Sequence, residues 1–247
     1  EAAITERTRA ILATHVYGIP CDVEAIDAIA KRHGLKVIYD AAHAFDVTYK
    51  GQSILQWGDA STLSFHATKL FHTVEGGAVV LHDAAADERL RLLRSFGHRN
   101  DDHISLGMNA KMSELHAAMG MAVLPHVERI IEQRARICDA YDQALADVVV
   151  KPGLPAGVSY NYAYHPVQFR DEAEREHVLA ALASQGIHCR RYFYPSLDEL
   201  PYVVGRTCPH SRDAALRTLC LPLYPDLTPQ DTDRITRALL AALDEYR

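Results

Sequence analysis

Residues 10–40 read AILATHVYGIPCDVEAIDAIAKRHGLKVIYD, and this stretch decides the fold. Its first part, Ala10 to Val16, is short and apolar and is followed by Gly18 and Pro20. A short apolar run bounded by turn residues is typical of a buried strand. The stretch therefore predicts a strand and then a turn.

The remainder of the stretch has the pattern of a helix and a second strand. Asp22 is a suitable N-cap and Gly34 a suitable C-cap, with apolar residues recurring between them at helical spacing. The apolar run Leu35 to Tyr39 predicts the second strand and places Asp40 at its carboxyl end. Strand, helix and strand form a βαβ unit with parallel strands. Ligands bind open α/β sheets at this carboxyl edge.

Two further strands, at 61–66 and 77–82, extend the sheet, and a helical pattern follows from Lys111 to Leu145 with Pro125 as its break. We therefore predict a large α/β domain with a mostly parallel sheet over residues 1–125, and a connecting helix and linker over 126–150.

After Pro152 and Gly153 the pattern changes to a strand over 160–169, a helix over 172–185 and a core-facing helix over 235–243. This pattern predicts a small C-terminal α+β domain over residues 151–247.

Composition excludes several classes of function. The chain has 247 residues, 48% of them hydrophobic, which is enough for a packed core. Lys and Arg number 26 against 32 for Asp and Glu, a formal charge of −6 with no basic block, so we expect no nucleic-acid or membrane partner. No apolar run approaches the roughly 20 residues of a membrane helix.

The cysteines indicate the compartment. Five are spread along the chain without a Cys-x-x-Cys pair, which is typical of reduced thiols. The first twenty residues do not have the layout of a signal peptide. We expect a cytoplasmic protein.

Asp40, Ser64 and Lys69 form the most informative constellation. Asp40 ends one predicted strand, the segment Ser64 to Lys69 leaves another, and Glu75-Gly76-Gly77 comes shortly after. A lysine amine forms a Schiff base, an aspartate keeps a pyridine nitrogen protonated, and a serine hydroxyl binds phosphate, so the set suits pyridoxal 5'-phosphate. The alternatives are an aspartate that caps a neighbouring helix or turn and a solvated surface lysine.

The 14 histidines raise the question of a metal. Neither His66 with His72 nor His98 with His103 has the i,i+4 spacing or the nearby cysteine of a zinc site. We predict no metal.

The chain resembles the DegT/DnrJ/StrS-type nucleotide-sugar aminotransferases, which are pyridoxal phosphate enzymes of fold type I. The similarity runs nearly end to end. It is carried by Asp40-Ala41-Ala42-His43-Ala44, Ser64 to Lys69, Glu75 to Ala78, Gly107-Met108-Asn109 with Ser113-Glu114, Gly186-Ile187, Arg191 to Pro195 and Leu221-Pro222-Leu223. The implied fold is a three-layer α/β/α large domain with the small C-terminal domain.

The resemblance implies roles for the cofactor residues. Lys69 is the catalytic lysine that holds the cofactor and moves protons, Asp40 pairs with the pyridine nitrogen and Ser64 contacts the phosphate. His43 stands where many relatives have glutamine, at the cofactor's phenolic oxygen. Asn109 reaches the phosphate of the neighbouring subunit, which implies a homodimer.

The resemblance also implies the reaction. A retained lysine favours transamination over dehydration, with glutamate as amino donor and a nucleotide-linked, dTDP-type, 3- or 4-keto-6-deoxyhexose as acceptor, for amino-sugar biosynthesis. His66, His103 and Tyr192 are candidate sugar contacts, with a satisfied histidine, a solvated loop and a core tyrosine as alternatives.

One departure from the family sets an expectation. Relatives have about half a domain before the strand at Ala10, whereas this chain opens at Glu1-Ala2-Ala3. We therefore expect an incomplete sheet with exposed edges. The alternative to an enzyme is a noncatalytic fragment or subunit that needs a full-length partner.

Overall fold

The computed structural model describes residues 1–247, which divide into two compact units. The first comprises residues 1–128 and 154–163, and the second residues 129–153 and 164–247. Residues 154–163 belong with the first unit because their short strand pairs there with Thr48–Tyr49.

The first unit is built on a four-stranded sheet. Its strands are β1 (Ala10–Thr14), β2 (Lys36–Asp40), β5 (Ala60–Ser64) and β6 (Gly77–Leu81), in that order across the sheet. A small sheet holds β3 (Thr48–Tyr49), β4 (Gln52–Ser53) and β9 (Val158–Ser159), and a hairpin pairs β7 (His98–Arg99) with β8 (Asp102–His103). The helices are α1 (Val23–His33), α2 (Ala84–Leu93) and α3 (Glu114–Val123).

The strand directions explain why the predicted site residues gather at one edge. β1 pairs with β2 and β2 with β5 in parallel, while β5 and β6 are antiparallel. Thr14 lies opposite Asp40, and Asp40 lies opposite Thr62. The predicted α/β class and mostly parallel sheet are confirmed.

Local signals set the limits of α1. The Asp22 carboxylate accepts the Ala25 N–H at 3.0 Å, and Gly34 ends the helix in a left-handed conformation, φ 62°. The buried face of α1, with Val23 and Ala30, packs with Val37 and Tyr39 of β2. Burial of this apolar surface is the main source of stability in the unit.

The second unit packs helices on a two-stranded sheet. Its helices are α4 (Val127–Leu145, which begins in the first unit), α5 (Glu172–Ser184), α6 (Pro209–Arg217) and α7 (Pro229–Tyr246), and its strands are β10 (Pro166–Gln168) and β11 (Thr218–Cys220). The buried face of α7, including Leu239 and Leu243, packs in a core with Leu182 of α5 and Leu219 of β11. The break predicted at Pro125 is present as a short 3₁₀ turn between α3 and α4.

The prediction of one strand over 160–169 is wrong. Within this range only β10 is a strand, and it is separated from β9 by residues 160–165, where Tyr162 has a left-handed backbone conformation, φ 52°. The buried Asn161 amide donates to the carbonyl oxygens of His43 and Phe45, both at 2.8 Å. These bonds, together with the left-handed residue, interrupt the extended run.

No helix of the chain combines the length and the apolar character that crossing a bilayer requires.

Candidate functional site

The structure brings Asp40, His43, Ser64 and Lys69 to the carboxyl edge of the four-stranded sheet. Asp40 ends β2 and Ser64 ends β5, which are parallel neighbours. His43 and Lys69 follow these two strands in the loops at that edge. The charges of Asp40 and Lys69 both act on His43, and the charge of Asp40 acts on Lys69. Three of the four residues, Asp40, His43 and Lys69, therefore interact electrostatically.

The Asp40 side chain is half-buried and is held by a hydrogen bond from the backbone two residues later. Its Oδ1 accepts the Ala42 N–H at 3.0 Å. Its carbonyl oxygen accepts the N–H of His15, the residue that follows β1, at 3.0 Å. The carboxylate is therefore held at the end of the strand, at the edge where open α/β sheets bind ligands.

His43 is a neutral hydrogen-bond donor. Its Nδ1 accepts the Tyr17 N–H at 3.0 Å, so the ring proton lies on Nε2. Burial, reinforced by the positive charge of Lys69, lowers the pKa of His43 to about 4. A neutral Nε2–H can donate to an anionic oxygen of a ligand without adding charge.

Gly18 lets the chain pass close behind His43. It adopts φ 86°, and a Cβ at this position would lie 2.7 Å from the His43 carbonyl oxygen and 3.0 Å from Asn161 Oδ1. Only glycine combines this conformation with this approach. The turn after β1 therefore supports the loop that carries His43.

Lys69 is half-buried, and the desolvation of its ammonium lowers the pKa of the amine, while Asp40 opposes the shift. A lowered pKa increases the fraction of neutral amine, which is the nucleophilic and basic form.

An aromatic cluster supports the loop that carries Lys69. Phe45 stacks on Phe71 with ring centroids 4.5 Å apart, and Phe65 contacts Phe71 edge-on at 4.9 Å. The Lys69 N–H donates to the His66 carbonyl at 2.9 Å. Lys69 thus extends from a loop anchored by packed aromatic rings, of which that of Phe71 is buried.

His66 lies in the same loop. Its Nδ1 is 2.8 Å from Thr68 Oγ1, and its Nε2 is 3.7 Å from Glu75 Oε1. The ring is exposed, as is that of His103 on β8. Ser64 Oγ accepts the His66 N–H at 3.4 Å. Its hydroxyl hydrogen remains available to donate to a ligand.

Asn109 and Tyr192 make contacts of their own. Asn109 has no hydrogen bond to its members, and its Oδ1 accepts the Lys111 ammonium at 2.6 Å. Tyr192 belongs to the second unit, where its ring contacts Tyr164 edge-on at 5.7 Å. Their predicted roles stay predictions.

Sequence reasoning missed His15, whose ring is fully buried and interacts electrostatically with Asp40. A signal for it existed. His15 follows β1 just as the Asp40 region ends β2, and the carboxyl ends of parallel strands meet at one edge.

Comparison with known proteins identifies the family. The DegT/DnrJ/EryC1/StrS aminotransferase family matches residues 1–240. A dTDP-4-amino-4,6-dideoxy-D-glucose transaminase from Shigella dysenteriae is 40% identical over 237 residues, covering 92% of this chain and 65% of the relative. An Escherichia coli protein of the same name is 36% identical, covering 98% and 69%.

Solved structures agree with the sequence relatives. The aminotransferase TlmJ from Streptoalloteichus hindustanus has a TM-score of 0.94 and 27% identity, and covers 100% of this chain and 69% of that one. DesI, solved in the presence of its TDP-sugar product, has a TM-score of 0.90 and 36% identity, covering 99% and 65%. The chain thus spans about two thirds of the length of these relatives, and it belongs to the DegT/DnrJ/EryC1/StrS aminotransferase family.

Proposed function

We propose that the protein is a pyridoxal phosphate-dependent aminotransferase that acts on a nucleotide-linked keto-6-deoxyhexose. The observation that carries this proposal is the cluster of Lys69, Asp40 and His43 at one sheet edge, where their charges interact. A half-buried lysine beside an aspartate and a neutral histidine donor fits pyridoxal phosphate, which presents an aldehyde, a pyridine nitrogen and a phenolic oxygen to these groups.

Three residues of the chain would each bind a different group of the cofactor. Asp40 would bind the pyridine nitrogen, His43 would donate its Nε2–H to the phenolic oxygen, and Ser64 would donate to the phosphate. When bound, the cofactor supplies an electron sink for the negative charge that develops on the substrate carbon.

Lys69 is proposed to hold the cofactor and to move the proton at the reacting carbon. Its lowered pKa favours the neutral amine that both tasks require. Asp40 opposes the shift, so the balance between burial and that carboxylate sets how readily the amine takes up a proton.

The relatives favour a particular substrate class. Two carry names that specify dTDP-4-amino-4,6-dideoxy-D-glucose, and DesI was solved with a TDP-sugar. Within the 3- or 4-keto alternatives we therefore favour a dTDP-4-keto-6-deoxyhexose as amino acceptor and glutamate as donor. His66, His103 and Tyr192 are the proposed sugar contacts.

We also propose a homodimer in which Asn109 contacts the cofactor phosphate of the neighbouring subunit. The Lys111 ammonium donates a hydrogen bond to Asn109 Oδ1. The NH₂ group of the Asn109 amide is then the group that would donate to the phosphate. Nearby Leu106 and Leu115 are 92% and 84% exposed, which suits burial against another copy. The five free cysteines favour work in the reducing cytoplasm.

An amino-transfer assay tests the reaction. The chain is incubated with pyridoxal phosphate, L-glutamate and dTDP-4-keto-6-deoxyglucose, and the amino sugar is detected by mass spectrometry. We expect product from the wild type and from Lys50→Ala, whose lysine pairs with Glu24 away from the cluster, and none from Lys69→Ala. Equal product from Lys69→Ala would contradict the proposed role of Lys69.

A further inference from the structure

His15 is a buried histidine held beside Asp40 by three contacts. Its backbone N–H donates to the Asp40 carbonyl oxygen at 3.0 Å. Its ring stacks on Tyr39, the residue before Asp40, with centroids 4.6 Å apart and planes inclined by 17°. Its Nδ1 accepts the Cys21 N–H at 3.0 Å. The ring therefore has a fixed position and orientation.

The Cys21 contact fixes the tautomer of His15. A nitrogen that accepts a backbone N–H carries no proton, so the proton of the neutral ring lies on Nε2. Burial lowers the pKa of His15 to about 4, so the ring is neutral at physiological pH. His15 thus presents one N–H donor.

This donor has no acceptor within the chain. The His15 ring is fully buried, and its Nε2 makes no hydrogen bond within the chain. A buried donor without a partner is destabilising, and a ligand group or a water molecule can satisfy it. The unmatched donor therefore calls for an acceptor.

Asp40 has a carboxylate oxygen that is an acceptor without a partner in the chain. Its Oδ1 receives the Ala42 N–H, while Oδ2 receives no hydrogen bond from the chain. The Asp40 charge raises the pKa of His15 against the effect of burial, so the two side chains interact electrostatically. One unmatched donor and one unmatched acceptor oxygen thus lie at the same sheet edge.

We propose that His15 is a positioning residue for Asp40: its Nε2–H donates to the Asp40 carboxylate, directly or through one water molecule, when Asp40 binds the pyridine nitrogen. The contact holds the carboxylate in the orientation that receives the cofactor. This inference rests on the proposed function. It completes a series of contacts from the Cys21 backbone through His15 and Asp40 to the ligand.

Two substitutions separate this role from simple packing. In His15→Asn the side-chain oxygen replaces Nδ1 as acceptor for the Cys21 N–H, and the distal donor is lost. In His15→Gln a distal N–H is retained. His165→Asn serves as a matched control because His165 is also buried, with a pKa lowered to about 4, but lies in the second unit.

Affinity for pyridoxal phosphate is the first readout. We expect the dissociation constant to rise on the order of tenfold in His15→Asn, the effect of losing a hydrogen bond to a charged group, and to stay within about twofold of the wild type in His15→Gln and His165→Asn. Unchanged affinity in His15→Asn would overturn the inference, provided that the wild type binds the cofactor at Lys69. A wild type that does not bind it there would refute the proposed function itself.

Histidine NMR of the wild type keeps the inference testable if His15→Asn does not fold. Added pyridoxal phosphate should shift the His15 Nε2–H resonance downfield, and Asp40→Asn should reduce that shift. A His15 resonance that does not respond to bound cofactor would overturn the inference.

Discussion

The backbone N–H of Tyr17 donates to Nδ1 of His43 at 3.0 Å, so the turn after β1 selects the tautomer of a side chain after β2. The bond leaves the His43 proton on Nε2, and burial keeps the ring neutral. A tertiary contact thus determines which ring nitrogen of His43 carries the proton, which sequence alone leaves open.

This relationship predicts a contrast between two substitutions of His43. His43→Gln keeps a side-chain N–H donor, so affinity for pyridoxal phosphate should stay within about threefold of the wild type. His43→Phe keeps the ring but loses the donor, so affinity should fall on the order of tenfold. Cofactor titration by fluorescence measures both, and equal affinities in the two variants would contradict the donor role.

Gly18→Ala should destabilise the first unit. The φ of 86° is unfavourable for alanine, and the new Cβ would lie 2.7 Å from the His43 carbonyl oxygen. The expected loss is about 2–4 kcal/mol in the free energy of unfolding. Gly34→Ala is the control, since Gly34 has φ 62° but open space around its Cβ position, and should cost about 1 kcal/mol. Urea unfolding gives both values, and equal losses would exclude a steric effect at Gly18.

Phe71→Ala should weaken both the fold and the cofactor site. Phe71 is buried and contacts Phe45 and Phe65 beside the loop that carries Lys69. Truncation of a buried phenylalanine costs about 3–5 kcal/mol. Phe71→Leu should cost less because it retains most of the apolar volume. Thermal unfolding measures whether Phe71→Ala is less stable than Phe71→Leu. A Phe71→Ala variant as stable as the wild type would contradict the anchoring role.

The pH dependence of stability should reflect buried neutral histidines. Burial lowers the pKa of His15, His43 and His165 to about 4, whereas the unfolded value is near 6.5. Between about pH 4 and pH 6.5 the unfolded chain therefore binds more protons than the folded chain. The stabilisation is fully present above about pH 6.5 and is lost as the pH falls towards 4, by up to about 1.4 kcal/mol per histidine for each pH unit.

Urea unfolding at pH 7.5, 6.5, 5.5 and 4.5 measures this loss. Replacing His165 by Asn should reduce the slope without abolishing it, since two of the three histidines remain. Stability that is constant from pH 6.5 to pH 4.5 would contradict the neutral state of these side chains.

The sequence predicts those parts of the structure that local interactions determine. Asp22 and Gly34 delimit α1 through contacts within a few residues, and Pro125 interrupts the helical pattern through its missing N–H. The placement of Asp40 and Ser64 at one edge follows from parallel pairing of their strands.

The features that the sequence did not predict depend on distant contacts. Asn161 interrupts the expected strand by bonding to carbonyl oxygens more than a hundred residues earlier in the chain. His15 gains its importance from burial against Tyr39 and from its lack of an acceptor, neither of which has a local pattern. The roles of Asn109 and Tyr192 stay predictions because they require a second copy of the chain or a bound ligand.

We propose above all that Lys69 carries pyridoxal phosphate. The most direct test is to add the cofactor to the purified chain, record the visible spectrum, reduce with borohydride and map the labelled peptide. We expect an absorption band of lysine-bound cofactor and a single reduced adduct on Lys69, both lost in Lys69→Ala. No band, or label spread over surface lysines such as Lys31 and Lys50, would contradict it.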